Sequence, residues 1–254
     1  MSDDVIDDNS PDSNDLASDV DDIPIDSKSD QQVSRFASLE NIDFSFVAYD
    51  QDITIMGAKS SGKSYLANTI LKGLGGISVW VYDFNFQFHS SKAIVFNDLD
   101  KMLEVYDTAQ RGHYILQPHD NSVETFKKFC AEGFNRGNLV LIMDEAHSFL
   151  TKLKQLKEFN DIILSGRPRG ISCIVLSSRP SSLPNNVLSN ARHVFVFKLN
   201  LESDVKFLEG FLGSDVWILL PPDKRHKKKD EPALPEHTFF YRDMDTDKGM
   251  VGKV

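Results

Sequence analysis

Residues 57–64 read Gly-Ala-Lys-Ser-Ser-Gly-Lys-Ser, which fits the pattern G-x-x-x-x-G-K-[ST]. They follow a short apolar run, Ile53–Met56, and open an amphipathic stretch that reaches about Leu74. A strand, a glycine-rich turn and a helix in that order converge successive backbone N–H groups on one point. The positive end of the helix dipole lies behind that point. Such a turn is a cradle for phosphates. Lys63 is expected to reach the β and γ phosphates of a nucleotide, and the Ser64 hydroxyl to ligate Mg²⁺. The candidate nucleotide-binding set is therefore Gly57, Ala58, Lys59, Ser60, Ser61, Gly62, Lys63 and Ser64, with Tyr65 next along the helix.

A second signal lies about 80 residues on. Leu139–Met143 is an uninterrupted apolar run, as in a strand buried on both faces, and it ends in Asp144 and Glu145. Open α/β sheets bind ligands at the carboxyl ends of their strands, so this pair should face the phosphate loop. Asp144 is the candidate for the Mg²⁺ shell and Glu145 for the general base that polarises an attacking water. The spacing leaves room for two strand–helix units and places at least one strand between the two motif-bearing strands. With a Glu beside the Asp, this points to the branch of P-loop ATPases that contains RecA, AAA+ and FtsK-like motors. The expected fold is α/β: a three-layer P-loop NTPase of RecA/ASCE type around a mostly parallel sheet.

The rest of the chain fits that plan. Further strands are predicted at Ile77–Tyr82, Ala93–Phe96, Tyr114–Leu116, Ile171–Ser177 and His193–Leu199, with a closing strand at Thr238–Tyr241. Helices are predicted over Asp98–Arg111 and Val123–Phe134. Alternation of this kind implies a sheet covered on both faces. The formal net charge of −10 belongs to the N-terminus: residues 1–30 hold eleven aspartates against Lys28, and the other 224 residues balance. So acidic a segment, nearly free of aromatics, cannot offset its ordering entropy and is expected to be disordered. The domain plan is then an acidic tail at 1–37, an ATPase domain at 38–242 and a frayed tail at 243–254. Cys130 and Cys173 suit neither a disulfide framework nor a zinc site, so a reducing compartment is expected. No apolar run is long enough for a membrane helix.

The segment Ser165-Gly-Arg-Pro-Arg-Gly-Ile-Ser-Cys-Ile-Val-Leu-Ser-Ser-Arg-Pro-Ser is more specific than either motif. A basic loop at Arg167 and Arg169 leads into an apolar strand that ends before Arg179-Pro180. This order resembles the FtsK–HerA family of DNA-pumping ATPases, in which a loop arginine precedes a Gly and a strand ending Thr-Gln-(Arg)-Pro. It looks most like the single-domain genome-packaging (A32-like) ATPases of double-stranded DNA viruses, over roughly residues 50–200. The resemblance implies that Arg167 reaches the ATP of a neighbouring subunit. It also puts Ser178 where the family has a Gln that senses the γ-phosphate, a departure that shortens the side chain. Asp83 falls where relatives often carry an acid. The tetrapeptide Asp144-Glu-Ala-His147 also spells a DEAH helicase motif, but such enzymes need two RecA-like domains, and this chain has room for one.

The resemblance further implies ATP and Mg²⁺ as cofactors and double-stranded DNA as partner. It implies a homo-oligomeric, hexameric ring, capsid or portal-vertex proteins nearby, no membrane, and a place in the cytoplasm of an infected cell or in the virion. The candidate basic groups for gripping DNA are Lys224, Arg225, His226, Lys227, Lys228 and Lys229 in a late loop, and Lys152, Lys154 and Lys157 after the acidic pair. The balanced charge of the core suits a pore with a few positive loops. Two alternatives stand beside the motor: a related ATPase of virion morphogenesis or secretion, and a nucleotide-dependent switch without translocation. A small-molecule kinase is disfavoured by the lack of a recognisable lid or acceptor pocket.

Overall fold

The inner strands of the central sheet divide their side chains between two cores, which is why their apolar runs in the sequence are unbroken. The computed structural model describes residues 36–38 and 51–254, apart from 110, 153–154 and 227–228. The acidic tail expected at 1–37 lies outside the described residues except for its last two positions. The strands are β1 (Phe36–Ser38), β2 (Ile53–Met56), β3 (Ser78–Tyr82), β4 (Ala93–Phe96), β5 (His113–Leu116), β6 (Leu139–Met143), β7 (Ile171–Ser177), β8 (His193–Phe197), β9 (Thr238–Asp243) and β10 (Lys248–Lys253). Between them run α1 (Lys63–Gly73), α2 (Leu99–Ala109), α3 (Val123–Arg136), α4 (Lys157–Ser165), α5 (Asn185–Asn190) and α6 (Glu202–Leu212).

The sheet order is β1-β10-β9-β8-β2-β7-β6-β3-β5-β4. The strands β2 to β8 pair in parallel, and β9 runs antiparallel to both β8 and β10. One strand, β7, separates the phosphate-loop strand β2 from the acidic-pair strand β6, as the motif spacing requires. On β3 and β6, Trp80, Tyr82, Leu141 and Met143 pack with Met102 of α2, Phe126 and Phe129 of α3 and Phe159 of α4. Val79, Val81, Val140 and Ile142 face the other way, with Leu66 and Ile70 of α1. A third cluster lies under α6, where Val194 and Val196 of β8 meet Val205, Leu208 and Trp217. The result is the three-layer arrangement expected of alternating strands and helices.

Helix boundaries follow local chemistry. Ser122 caps α3 by accepting from the Thr125 N–H at 3.1 Å, and Gly137, at φ +65°, ends it. Asp98, predicted inside the second helix, instead precedes it and accepts from the Lys101 N–H at 3.0 Å. Strand β8 stops at Phe197, two residues short of the expected end, because the Leu199 N–H turns to the Leu219 carbonyl at 3.0 Å.

The C-terminal stretch departs from expectation. Residues 243–254 were expected to fray, yet Lys248–Lys253 form β10, paired with β9 from Lys248↔Asp243 to Lys253↔Thr238. Glycines and lysines give this strand little intrinsic propensity. The pairing works because Gly252 leaves room for the Phe239 ring, which a Cβ at 252 would meet at 2.4 Å. Strand β1 pairs in parallel with β10, so the strand begins at Phe36, inside the stretch assigned to the tail.

His193 on β8 is buried between the Tyr241 hydroxyl (Nδ1, 2.9 Å) and Gln51 Oε1 (Nε2, 2.8 Å). Burial is the main force pushing its pKa down, to about 4, and keeps the ring neutral. The depressed value means that its contribution to stability is complete above about pH 6.5 and is lost as pH falls from there towards 4. The loss amounts to something on the order of 3 kcal/mol. Urea midpoints measured at pH 7, 5.5 and 4.5 are expected to fall more steeply for the wild type than for His193→Gln. Parallel curves would contradict this reading.

Candidate active site

The phosphate loop is tied to both strands that flank β2. The Gly57 N–H donates to the Ser177 carbonyl of β7 at 3.2 Å, and the Ala58 N–H to the Lys198 carbonyl just beyond β8 at 2.8 Å. Two glycines are required here. Gly57 sits at φ +150°, and a Cβ would lie 2.6 Å from Phe197 Cβ. Gly62 sits at φ +116°, and a Cβ would lie 2.9 Å from the Phe197 ring and 3.0 Å from Val254. The loop is thus wedged against β8 and shows bare backbone to the cavity, where α1 begins with no side-chain cap.

That cavity, of about 690 Å³, is lined by Lys59 to Tyr65 and by Phe84, Asn85, Gln87, Glu145, His147, Ser148, Ser178, His237 and Val254. Its size suits a nucleotide. Lys63 is 5 % exposed; its Nζ donates to the Ala58 carbonyl at 3.1 Å and lies 3.9 Å from Glu145 Oε1. Burial lowers its pKa, opposed by the charges of Glu145 and Asp144. The Ser61 hydroxyl is buried with no hydrogen-bond partner among the described residues. An orphaned hydroxyl, a backbone cradle and a recessed ammonium fit a polyphosphate. Tyr65, on the first turn of α1, is exposed at the rim.

Asp144 and Glu145 stand side by side in very different surroundings. The Asp144 N–H donates to the Tyr82 carbonyl at 3.0 Å, and its carboxylate accepts from Asn85 Nδ2 at 3.1 Å. Burial, then the charges of Glu145 and Asp83, raise its pKa to about 7. A cation would relieve that penalty. The hydroxyl of Ser64 and the carboxylate of Asp144 are hard oxygen donors of the kind Mg²⁺ takes, so the residues fit the ion.

Glu145 occupies a left-handed backbone conformation at φ +46°. Its Oε2 accepts from the Ser178 N–H at 2.9 Å and lies 3.1 Å from His147 Nδ1. Burial pushes its pKa up. The hydrogen bond from His147, the charge of Lys63 and the Ser178 N–H outweigh burial and hold it down, to about 2. Glu145 is therefore an ionised acceptor at neutral pH, suited to orienting a water rather than to holding a free proton.

The structure brings Lys63, Ser64, Glu145 and Ser178 to one cavity, with Asp144 buried behind the lining residue Asn85. It does not bring Arg167 there. Arg167 is exposed at the amino end of β7, near Asp52, whereas Ser177 at the carboxyl end lies beside the phosphate loop. A seven-residue strand separates the two edges, roughly 20 Å. Arg169 is taken up locally: its guanidinium donates to the Phe134 and Asn135 carbonyls at 2.7 and 2.8 Å and lies over the Phe134 ring, closing the end of α3. Asp83, fully buried, accepts from the Gln87 and Phe88 N–H groups and from Gln117, and so anchors the loop after β3.

The proposed basic clusters are largely committed elsewhere. Arg225 is 1 % exposed and donates to the carbonyls of Leu220, Ile218 and Glu231. His226 pairs with Glu202 at 2.9 Å, and Lys227 and Lys228 lie outside the described residues. In the other cluster, Lys152 lies 4.2 Å from the Phe207 ring centre, Lys154 is not described, and Lys157 pairs with Asp161 on α4. Six cavity residues went unnoticed in the sequence: Phe84, Asn85, Gln87, Ser148, His237 and Val254. Only tertiary pairing brings them to the phosphate loop.

No family model matches the chain, and no curated protein matches it in sequence. Among solved structures it is similar to the genome packaging NTPase B204 of Sulfolobus turreted icosahedral virus 2 in complex with ATPγS. That match has 18 % identity and a TM-score of 0.62, over 80 % of this chain and 97 % of that one. The DNA-packaging ATPase B204 of Sulfolobus turreted icosahedral virus aligns with 20 % identity and a TM-score of 0.60, over 82 % and 98 %. Both agree with the branch that the segment around Arg167 resembles. Among the described residues, no helix is long and apolar enough to cross a membrane. By its phosphate loop, its acidic pair and the strand inserted between them, this chain has the P-loop NTPase fold that these viral packaging ATPases share.

Proposed function

We propose that the protein is an ATP-hydrolysing motor that moves double-stranded DNA, packaging a viral genome into a capsid. The observation that carries this reading is the division of its chemistry between two edges of one sheet. Lys63, Ser64, Asp144 and Glu145 make a hydrolytic half-site at the carboxyl edge, while Arg167 stands exposed at the amino edge. A second copy of the chain would bring the two together. A head-to-tail ring places each Arg167 at its neighbour's γ-phosphate, and its charge there can contribute several orders of magnitude in rate.

Within one site the roles follow from position. The loop amides and Lys63 bind the β and γ phosphates. Ser64 and Asp144 would hold Mg²⁺, which neutralises phosphate charge during transfer. Glu145 accepts a hydrogen bond from the attacking water and aligns it. Ser178 contributes its backbone N–H to Glu145, so the end of β7 is coupled to the base directly and not through a long side chain. The similarity to genome-packaging NTPases favours DNA as the cargo. Of the late basic loop, Lys224 and Lys229 are exposed, whereas Arg225 acts as a buried clamp.

Glu145→Gln is expected to bind ATP normally and to lose hydrolysis by about 10²–10⁴-fold; normal turnover, measured by phosphate release, would remove Glu145 from its role. Arg167→Ala should bind ATP yet lose about 10³-fold in rate. Mixing it with Glu145→Gln protein should restore part of the activity, since some interfaces then combine an intact base with an intact arginine. A fully active dilute monomer would refute the shared site. Turnover with and without double-stranded DNA, read beside native mass, tests the cargo. A monomer indifferent to DNA would end the motor reading and leave the nucleotide site standing.

A further inference from the structure

The loop after β3 carries two amide side chains that the hydrolytic scheme does not use, and each touches one of the two side chains assigned to the metal. The Ser64 hydroxyl donates to Gln87 Oε1 at 2.7 Å, and Asn85 Nδ2 donates to Asp144 Oδ2 at 3.1 Å. We infer that Asn85 and Gln87 are positioning residues for the divalent cation that accompanies the nucleotide, holding Ser64 and Asp144 in the orientations that ligation needs. This rests on the assignment of Ser64 and Asp144 as the metal's protein ligands.

The sense of each hydrogen bond supports the role. A serine hydroxyl has one proton and two lone pairs; giving the proton to Gln87 leaves the lone pairs for a cation. A hydroxyl that instead accepted a hydrogen bond would offer the cation less. A carboxylate only accepts, so Asn85 presents its NH₂ to Asp144 Oδ2 and leaves Oδ1 for the cation or a water on it. Both contacts are compatible with a bound ion, and they restrict the rotation of the two ligands before it arrives. Partners of this kind typically change metal affinity by about 10–100-fold.

The loop is built to keep the two amides in place. Asp83 receives the Gln87 and Phe88 N–H groups at 2.9 and 3.0 Å and Gln117 Nε2 at 2.8 Å. Asn68 of α1 donates to the Gln87 carbonyl at 3.1 Å, joining the loop to the helix that bears Ser64. Phe88 is fully buried and Phe84 packs on Phe149, so the tip is fastened on both sides. Phe86 between the two amides has φ +58°, a conformation that an aromatic residue adopts only when its surroundings impose it. One short loop thus spans from the phosphate-loop helix to the acidic-pair strand and sets the spacing of both ligands.

The test uses Mn²⁺ as the probe, with free Mn²⁺ read by electron paramagnetic resonance in the presence of a non-hydrolysable ATP analogue. Analogue affinity in EDTA is measured in parallel. Asn85 and Gln87 are exposed, so truncation leaves the core intact. Gln87→Ala and Asn85→Ala are each expected to weaken Mn²⁺ about 10–100-fold, with analogue affinity in EDTA altered less than about twofold. Gln87→Glu keeps an acceptor for the Ser64 proton and is expected to recover most of the Mn²⁺ affinity. Wild-type Mn²⁺ binding in both alanine variants, or an equal loss of analogue binding in EDTA, would overturn the inference. If the wild type with analogue bound no Mn²⁺ at all, the assignment of Ser64 and Asp144 would fall, and this inference with it.

Discussion

The site depends on the phosphate loop being held by the two strands beside β2 rather than by its own residues. Gly57 and Ala58 spend their N–H groups on the Ser177 and Lys198 carbonyls, and Phe197 closes against Gly57 and Gly62 at distances no side chain could share. Further along, the Ser61 N–H turns back to the Ala58 carbonyl at 3.3 Å, and residues 59–64 line the cavity. Because β7 and β8 carry these anchors, the geometry of the cradle is inherited from the sheet. Ser178 continues from the same end of β7 to Glu145, so one strand supports both the Gly57 turn and the Glu145 carboxylate.

The acidic pair illustrates how two adjacent carboxylates acquire different chemistry. Asp144 is enclosed beside Glu145 and Asp83, and its ionised form is disfavoured. Glu145 points towards Lys63, His147 and the Ser178 amide, which keep it ionised despite burial. The backbone at Glu145 is left-handed, at φ +46°, which is uncommon for a residue with a side chain. His147 had meaning in the sequence only as part of a helicase tetrapeptide; in the fold its Nδ1 lies 3.1 Å from Glu145 Oε2.

Charge in the sequence proved a poor guide to charge at the surface. Arg169 and Arg225 read as basic loop residues, yet both are bound to backbone carbonyls, three of them around Arg225. A guanidinium carries five donors in a fixed fork and can satisfy the open end of a helix or an irregular loop, and nothing local in the sequence marks which carbonyls will be near. Arg167, four residues before β7, is exposed at the amino end of the strand. Similarly, the Lys-Gly-Met-Val-Gly-Lys stretch lacked any strand signal, because its stability comes from β9 beside it and from the Phe239 ring against Gly252.

What the sequence determined by itself was local: the glycines of the phosphate loop, the apolar strands that need burial on both faces, the acids at the end of β6, and from their spacing the strand inserted between the two motifs. Those features are legible because each rests on neighbours within a few residues or on a simple periodicity. Only the tertiary structure decided that Arg167 faces away from its own nucleotide site, that β10 brings Val254 against Gly62, and that Asn85 and Gln87 meet Asp144 and Ser64. Those contacts join residues 23 to 192 positions apart, brought together by the sheet topology, and a side chain's partner across a sheet leaves no trace in the residues beside it.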